Sequence, residues 1–282
     1  MDIIVGKTSG FCFGVKNAVE KTLEELTKQR NIYCLGELIH NKNVIKELEE
    51  KGLIIVNTIE EVPSNEKCII RAHGITKKEY EIAREKGIIL VDLTCPKVVL
   101  IHKKVEKYNK EGYTIILYGK RKHPETIGNA SFAENDCYII ETKEDLEKTL
   151  KEIKNKKPEK IAIISQTTFG VEEFKEYTNI VKETIENAQI VVDNTICNST
   201  ELRQKEAEEI SKKVDVMVVI GGKHSSNTKE LYEVAKRYAP KTIHIEQASE
   251  LDENIKENNK IGIIAGASTP NSAINEVIEM LQ

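Results

Sequence analysis

Three cysteines of this 282-residue chain stand at equivalent places in an internal repeat. Cys12, Cys95 and Cys197 each follow an apolar run of strand length, and each precedes a stretch whose apolar residues recur at helical spacing. A repeat that carries a thiol in every unit can bring three thiols to one point. Three thiolates can hold a metal ion or an iron–sulfur cluster and leave one coordination position open.

Histidines recur in the same repeat, at the end of the next apolar run. His40, His123 and His224 follow the three cysteines by 28, 28 and 27 residues, and His73 stands at another strand-end turn. Imidazoles at such turns suit an anionic ligand such as phosphate. These positions therefore indicate a site for a small anionic molecule.

The other three cysteines are interpreted differently. Cys34, Cys68 and Cys137 lie inside apolar strands, where a cysteine is usually a small core residue. The wide spacing of Cys12, Cys95 and Cys197 excludes a zinc knuckle and a ferredoxin-type C-x-x-C motif.

Other polar groups also fall at predicted strand ends. Glu125, in HPET, is either a first-turn helix acid or a proton donor whose pKa is raised beside an apolar cavity. Ser225, Ser226 and Asn227 can cap a helix and bind phosphate with the same donors, and Ser268 adds a hydroxyl.

The strand and helix patterns around these residues alternate along the chain. They predict an α/β protein of three small, pseudo-threefold-related domains with mostly parallel sheets. Each unit is predicted as strand, cysteine, helix, strand, turn, helix, strand and strand. The expected domains are 11–93, 94–194 and 195–282, and the N-terminal segment 1–10 completes the third. Because ligands bind beyond the carboxyl ends of parallel strands, we expect one central cavity.

Composition narrows the class of protein. The chain has 42 Lys and Arg against 46 Asp and Glu, a net charge of −4, which argues against nucleic-acid or membrane-surface binding. No apolar run approaches the roughly 20 residues that span a bilayer, and we expect no signal peptide. Six cysteines then favour a reducing cytoplasm.

The chain resembles the 4-hydroxy-3-methylbut-2-enyl diphosphate reductase family. Eight motifs carry the resemblance, in order from Gly10 to Pro270: GFCFGV, RAHG, DLTCP, HPE, SQTT, TICNST, GGKHSSNT and AGASTP. Each motif is short, but their shared order along nearly the whole chain is specific.

The resemblance implies three α/β domains around a central cavity and one oxygen-sensitive 4Fe-4S cluster. Cys12, Cys95 and Cys197 match the family's cluster ligands, and the apical iron is open to substrate. Two electrons and protons remove the substrate's hydroxyl as water and give isopentenyl or dimethylallyl diphosphate. Ferredoxin or flavodoxin is the expected electron donor.

The resemblance also assigns roles to single residues. Glu125 matches the proton-delivering glutamate, and Thr167 matches a cavity threonine expected to contact substrate and to act in catalysis. The family's diphosphate-binding groups match His40, His73, His123, Ser225, Ser226, Asn227 and Ser268. The internal repeat nominates His224 as well, but the family pattern does not include it, and we leave it out.

Two other classes remain open from the residues. A three-thiolate zinc hydrolase would use zinc to activate water and would be colourless. A non-enzymatic phosphate-binding module would use the strand-end polar groups while the cysteines only pack.

Overall fold

The computed structural model describes residues 1–134 and 136–282. It is an α/β structure in which parallel strands form three four-stranded sheets. The strands are β1 (Asp2–Val5), β2 (Ile32–Leu35), β3 (Leu53–Val56), β4 (Lys67–Ile70), β5 (Ile89–Asp92), β6 (Thr114–Tyr118), β7 (Cys137–Ile140), β8 (Lys160–Ser165), β9 (Gln189–Val192), β10 (Val216–Ile220), β11 (Lys241–Ile245) and β12 (Lys260–Ala265).

Helices connect most of these strands, and the last helix follows β12. They are α1 (Phe13–Lys28), α2 (Lys42–Glu50), α3 (Lys77–Glu85), α4 (Pro96–Lys110), α5 (Pro124–Ala130), α6 (Lys143–Lys156), α7 (Val171–Thr184), α8 (Asn198–Ser211), α9 (Ser226–Tyr238) and α10 (Asn271–Leu281). Short 3₁₀ turns cover Ile59–Glu61, Ala248–Glu250 and Glu253–Glu257. Within 1–134 and 136–282, none of the helices is both long and apolar enough to cross a membrane.

The three sheets share one strand order. The orders are β3-β2-β4-β5, β7-β6-β8-β9 and, in the same sense, β11-β10-β12-β1. The N-terminal strand thus takes the place in the third sheet that β5 and β9 take in the others, with Ile3 opposite Ile261. β1 therefore lies in the same sheet as β10, β11 and β12.

The chain divides into two compact units. The first unit comprises Met1–Leu23, Glu37–Lys51 and Asn198–Gln282, and it contains the sheet with β1. The second unit comprises Glu24–Gly36 and Gly52–Cys197, and it contains the other two sheets. The three-domain boundaries therefore stay a prediction.

One detail of the predicted repeat is wrong. The predicted repeat has no helix directly after β4, β8 or β12, but α3, α7 and α10 follow these strands. Parallel strands need a crossover connection, and α3 and α7 supply it for β4 to β5 and for β8 to β9. α3 was hidden because its sequence, KKEYEIARE, is highly charged and buries only Ala83.

The central strands of each sheet are buried on both faces. In β6, Ile115, Ile116 and Leu117 have no exposed surface, as expected of parallel strands covered by helices on both sides. Such strands show continuous apolar runs rather than alternation, which is why they were visible in the sequence. Their carboxyl ends lead directly into the turns that carry the polar motifs.

Candidate functional site

The three repeat cysteines share one backbone environment. Each cysteine's N–H donates to the carbonyl oxygen two positions beyond the end of a sheet strand: Cys12 to Ala267 at 3.1 Å, Cys95 to Ala72 at 3.0 Å and Cys197 to Thr167 at 2.9 Å. The strands concerned, β12, β4 and β8, hold the same place in their sheets. The repeat therefore fixes the three cysteines in the same local way.

Each of these cysteines also stands at the start of a helix. Cys95 is the N-cap of α4, with Pro96 at the first helical position, and Cys12 and Cys197 directly precede α1 and α8. All three side chains are half-buried. A helix N-terminus favours negative charge, so this placement suits sulfur ligands of a metal.

The remaining cysteines have a different environment. Cys34 and Cys68 are fully buried, and burial raises the pKa of their thiols to about 12 and about 11. Burial likewise raises the pKa of Cys137, at the start of β7, to about 12. These thiols stay neutral near pH 7 and suit packing rather than metal binding.

Glu125 is a buried acid in the second unit. It lies in the first turn of α5, and only 2% of its surface is exposed. Its two carboxylate oxygens accept from the N–H and the Oγ1 hydroxyl of Thr167, both at 2.7 Å. Burial raises the pKa of Glu125 to about 7, although the hydrogen bonds from Thr167 oppose this shift. An acid with this pKa is suited to proton transfer near neutral pH.

Thr167 links this acid to a cysteine. Its N–H and hydroxyl hold Glu125, while its carbonyl oxygen accepts from the N–H of Cys197. Thr167, two positions beyond β8, thus holds the carboxyl group of Glu125 and the backbone of Cys197 at the same time.

Two histidines of the second unit lie side by side. The rings of His73 and His123 are 5.2 Å apart, centroid to centroid, in a T-shaped arrangement. His123 caps α5, and its Nδ1 accepts from the N–H of Glu125 at 3.2 Å. A neutral imidazole that accepts at Nδ1 carries its proton on Nε2, which is therefore the donor atom.

The start of α9 forms a buried polar cluster in the first unit. Ser225, Ser226 and Asn227 are each 5% exposed or less, whereas His224 is exposed. Ser225 Oγ caps the helix by accepting from the N–H of Thr228. Among the residues that the structure describes, both polar side-chain atoms of Asn227 are buried without a hydrogen-bond partner. A buried amide in this state is suited to a polar ligand.

His40 and Ser268 come together in the same unit. Ser268 Oγ donates to the carbonyl oxygen of His40 at 3.2 Å, and Asn41 Nδ2 donates to the carbonyl oxygen of Ser268 at 3.1 Å. A Cβ on Gly222 would lie 2.6 Å from the His40 carbonyl oxygen, so this close approach requires glycine. Asn41 is not among the predicted site residues, although an asparagine at the N-cap of α2 is a signal that the sequence carries.

The predicted site residues fall equally into the two units. The first unit holds Cys12, His40, Ser225, Ser226, Asn227 and Ser268. The second unit holds His73, Cys95, His123, Glu125, Thr167 and Cys197. The convergence of these residues on one cavity stays a prediction.

Comparisons with known proteins agree on one family. A family model described as LytB protein matches residues 3–282. A protein of Caldanaerobacter subterraneus subsp. tengcongensis, named 4-hydroxy-3-methylbut-2-enyl diphosphate reductase, is 43% identical, and the match covers 100% of this chain and 97% of the relative.

Solved structures agree with this match. The structure of (E)-4-hydroxy-3-methyl-but-2-enyl diphosphate reductase, described as the terminal enzyme of the non-mevalonate pathway, is 38% identical with a TM-score of 0.70. That match covers 100% of this chain and 99% of the other. The E-1-hydroxy-2-methyl-but-2-enyl-4-diphosphate reductase from Plasmodium falciparum is 31% identical with a TM-score of 0.91, over 99% of this chain and 87% of the other.

Proposed function

The chain belongs to the LytB protein family, and on that premise we propose that it is an oxidoreductase acting on 4-hydroxy-3-methylbut-2-enyl diphosphate. The reaction removes the hydroxyl group as water, consumes two electrons and two protons, and yields isopentenyl diphosphate and dimethylallyl diphosphate. The observation that carries the proposal is the contact of Thr167 with both Glu125 and Cys197.

We propose that Cys12, Cys95 and Cys197 hold one 4Fe-4S cluster. Their shared backbone anchors, half-buried side chains and helix-start positions fit three thiolate ligands of equal standing. When bound, such a cluster would relay electrons from an external donor to the substrate and would supply Lewis acidity. Cys34, Cys68 and Cys137 do not fit this role, because burial keeps their thiols neutral.

Glu125 is the proposed proton source. At pH 7 a carboxyl group with a pKa of about 7 is protonated in about half of the molecules. The protonated Oε2 donates to Thr167 Oγ1, which turns its own hydrogen toward the substrate. Thr167 therefore both orients Glu125 and contacts the substrate, and the buried position of the acid limits proton exchange with water.

The diphosphate is proposed to bind at the strand-end polar groups. The neutral donors are Ser225, Ser226, Asn227 and Ser268, with the N-terminus of α9 behind the first three. The imidazoles are His40, His73 and His123, and the Nε2 donor of His123 suits a phosphate oxygen. The buried Asn227 amide supports this assignment, because a polar ligand would satisfy it.

We expect the electrons to come from a ferredoxin or a flavodoxin, and the protein to work in the cytoplasm. Cysteine usage supports that location. The near-neutral charge balance argues against nucleic-acid and membrane-surface partners.

Anaerobic purification and reconstitution with iron and sulfide test the cofactor. The proposal predicts a brown protein that binds iron and bleaches in air. A colourless preparation that holds zinc would favour a three-thiolate hydrolase, and one that binds diphosphate without any metal would favour a phosphate-binding module. Either result would contradict the proposed 4Fe-4S cluster.

A further inference from the structure

Two charged side chains at equivalent places in the repeat hold the loops that lead into two of the cysteines. Lys104 lies on α4 nine positions after Cys95, and Glu206 lies on α8 nine positions after Cys197. Each contacts the residue four positions before the next cysteine in the cyclic order of the repeat. Lys104 contacts Asp193, and Glu206 contacts Thr8.

The Glu206 contact is made by several hydrogen bonds within the first unit. Oε1 accepts from the N–H of Lys7 at 2.7 Å, and Oε2 accepts from the N–H and the hydroxyl of Thr8 at 2.8 and 2.5 Å. Burial by itself raises the pKa of Glu206, but the hydrogen bonds from Thr8 and Lys7 outweigh it and hold that pKa below its ordinary value. The carboxylate is therefore ionised near pH 7, and these hydrogen bonds are charge-assisted.

A second side chain of α8 holds the same loop. Arg203 is 4% exposed, and its Nη2 donates to the carbonyl oxygen of Gly10 at 2.7 Å. Gly10 has a φ of 100°, and Gly6 begins the loop, so the chain here has few constraints of its own. α8 therefore holds the segment that ends at Cys12 from one side, while β12 and the turn after it hold the same segment through Gly6, Ser9 and Cys12.

The charges are reversed in the Lys104 contact within the second unit. Here the helix α4 carries the positive charge and the loop carries the carboxylate, that of Asp193. Lys104 Nζ donates to the two carboxylate oxygens of Asp193 at 2.6 and 2.7 Å, and the hydroxyl of Tyr108 donates to Oδ2 at 3.0 Å. The ion pair is half-buried, with exposed side-chain fractions of 29% and 19%. It joins α4 to the loop that runs from β9 to Cys197.

The loop before Cys95 is held in another way. Asp92 Oδ1 accepts from the N–H of Thr94, and Asp92 Oδ2 accepts from the hydroxyl of Tyr80 on α3. This loop therefore carries its own carboxylate and uses α3, so the Cys95 loop serves as an internal reference for the other two.

We propose that Glu206, with Arg203, and Lys104 are positioning residues that set Cys12 and Cys197 respectively as metal ligands, an inference that rests on the proposed cluster. The helix that starts at one cysteine carries the charge that fixes the loop before the next. Because a ligand's supporting contacts govern how well it holds a metal, loss of either charge weakens one sulfur ligand rather than all three.

The test uses Glu206→Ala and Lys104→Ala, each with a matched control on the same helix. Glu209→Ala removes an exposed carboxylate of α8, and Lys107→Ala removes an exposed ammonium of α4. Glu206→Gln keeps the shape and one acceptor oxygen, so it should fold even if the alanine variant does not.

The first measurement needs no metal. Apoprotein is treated with iodoacetamide under anaerobic conditions, and the alkylation rate of each cysteine is read by mass spectrometry. We expect Glu206→Ala to raise the rate at Cys12 by about threefold or more, and Lys104→Ala to do so at Cys197, because local opening exposes the thiol. The rate at Cys95 should stay unchanged in both. Equal changes at all three cysteines, or none, would overturn the proposal.

The second measurement uses the reconstituted protein. Loss of iron to a chelator without oxygen should be about tenfold faster in the two alanine variants, as expected for one weakened charge-assisted contact. Glu206→Gln should be intermediate, and the controls should match the wild type. Unchanged rates in both alanine variants would contradict the inference. Failure of the wild type to bind iron would instead contradict the proposed function, while the alkylation pattern would still decide the role of these side chains.

Discussion

Replacement of Glu125 by glutamine separates its charge from its shape. In Glu125→Gln the amide oxygen can still accept from the N–H of Thr167, and the amide nitrogen can donate to Thr167 Oγ1 once that hydroxyl turns its hydrogen away. The variant should therefore keep the local structure and lose only the transferable proton. Because general acid catalysis contributes about 100- to 10,000-fold, we expect the turnover rate at pH 7 to fall by that factor.

The same substitution has a pH-dependent effect on stability. Burial raises the pKa of Glu125 from 4.5 to about 7, so the folded protein binds more protons than the unfolded chain between these values. The contribution of the protonated carboxyl to stability is fully present below pH 4.5 and is lost as the pH rises through 7. A pKa difference of this size corresponds to roughly 3 kcal/mol of unfolding free energy. Glu125→Gln should thus gain stability relative to the wild type as the pH rises, and reach a plateau above pH 7.

Urea unfolding of the apoproteins at pH 5, 6, 7 and 8 measures this difference, and Glu209→Gln, at an exposed position on α8, is the control. Anaerobic turnover with an artificial reductant measures the catalytic effect. Wild-type turnover by Glu125→Gln would remove Glu125 as the proton source. A difference in unfolding free energy that does not vary with pH would refute the raised pKa.

Three further predictions concern the ligands and the binding groups. Cys12→Ser should lose most of the bound iron, whereas Cys34→Ala should keep it, and iron analysis after reconstitution decides; equal loss in both would contradict the ligand assignment. Asn227→Ala should raise KM by about 10- to 100-fold, because hydrogen bonds to a charged ligand are lost. Its melting temperature without substrate should not fall, because the amide is unpaired in the described structure, and a fall would show a structural role. Gly222→Ala should destabilise the protein by about 1–3 kcal/mol, since its Cβ would lie 2.6 Å from the His40 carbonyl oxygen; unchanged urea unfolding would contradict that packing.

Sequence patterns predicted much of the fold because apolar runs of buried parallel strands are conspicuous. β6 and β10 are continuous apolar segments, and the cysteines at the helix starts repeat with little change in spacing. α3 was not predicted because only one of its residues is buried. α7 was also not predicted, although Phe174, Tyr177 and Val181 recur in it at helical spacing and indicate a helix. The alternation of helices and strands along the rest of the chain also indicated α7.

The local environment of the site residues was less predictable. The sequence nominated Glu125 and allowed a raised pKa, but its burial and its two bonds to Thr167 depend on residues 42 positions apart. The contacts of Glu206 with Lys7 and Thr8 join residues 199 and 198 positions apart and left no sequence motif. Long-range polar contacts of this kind follow from the tertiary fold, which local patterns do not encode.

The most direct test of the proposed reaction is a product analysis under anaerobic conditions. Reconstituted protein, an artificial reductant and 4-hydroxy-3-methylbut-2-enyl diphosphate are combined, and the products are identified by mass spectrometry and NMR. We predict isopentenyl and dimethylallyl diphosphate, with the diphosphate intact and one oxygen atom lost. Unchanged substrate with iron-loaded protein, or release of phosphate in place of the hydroxyl group, would contradict the proposed function.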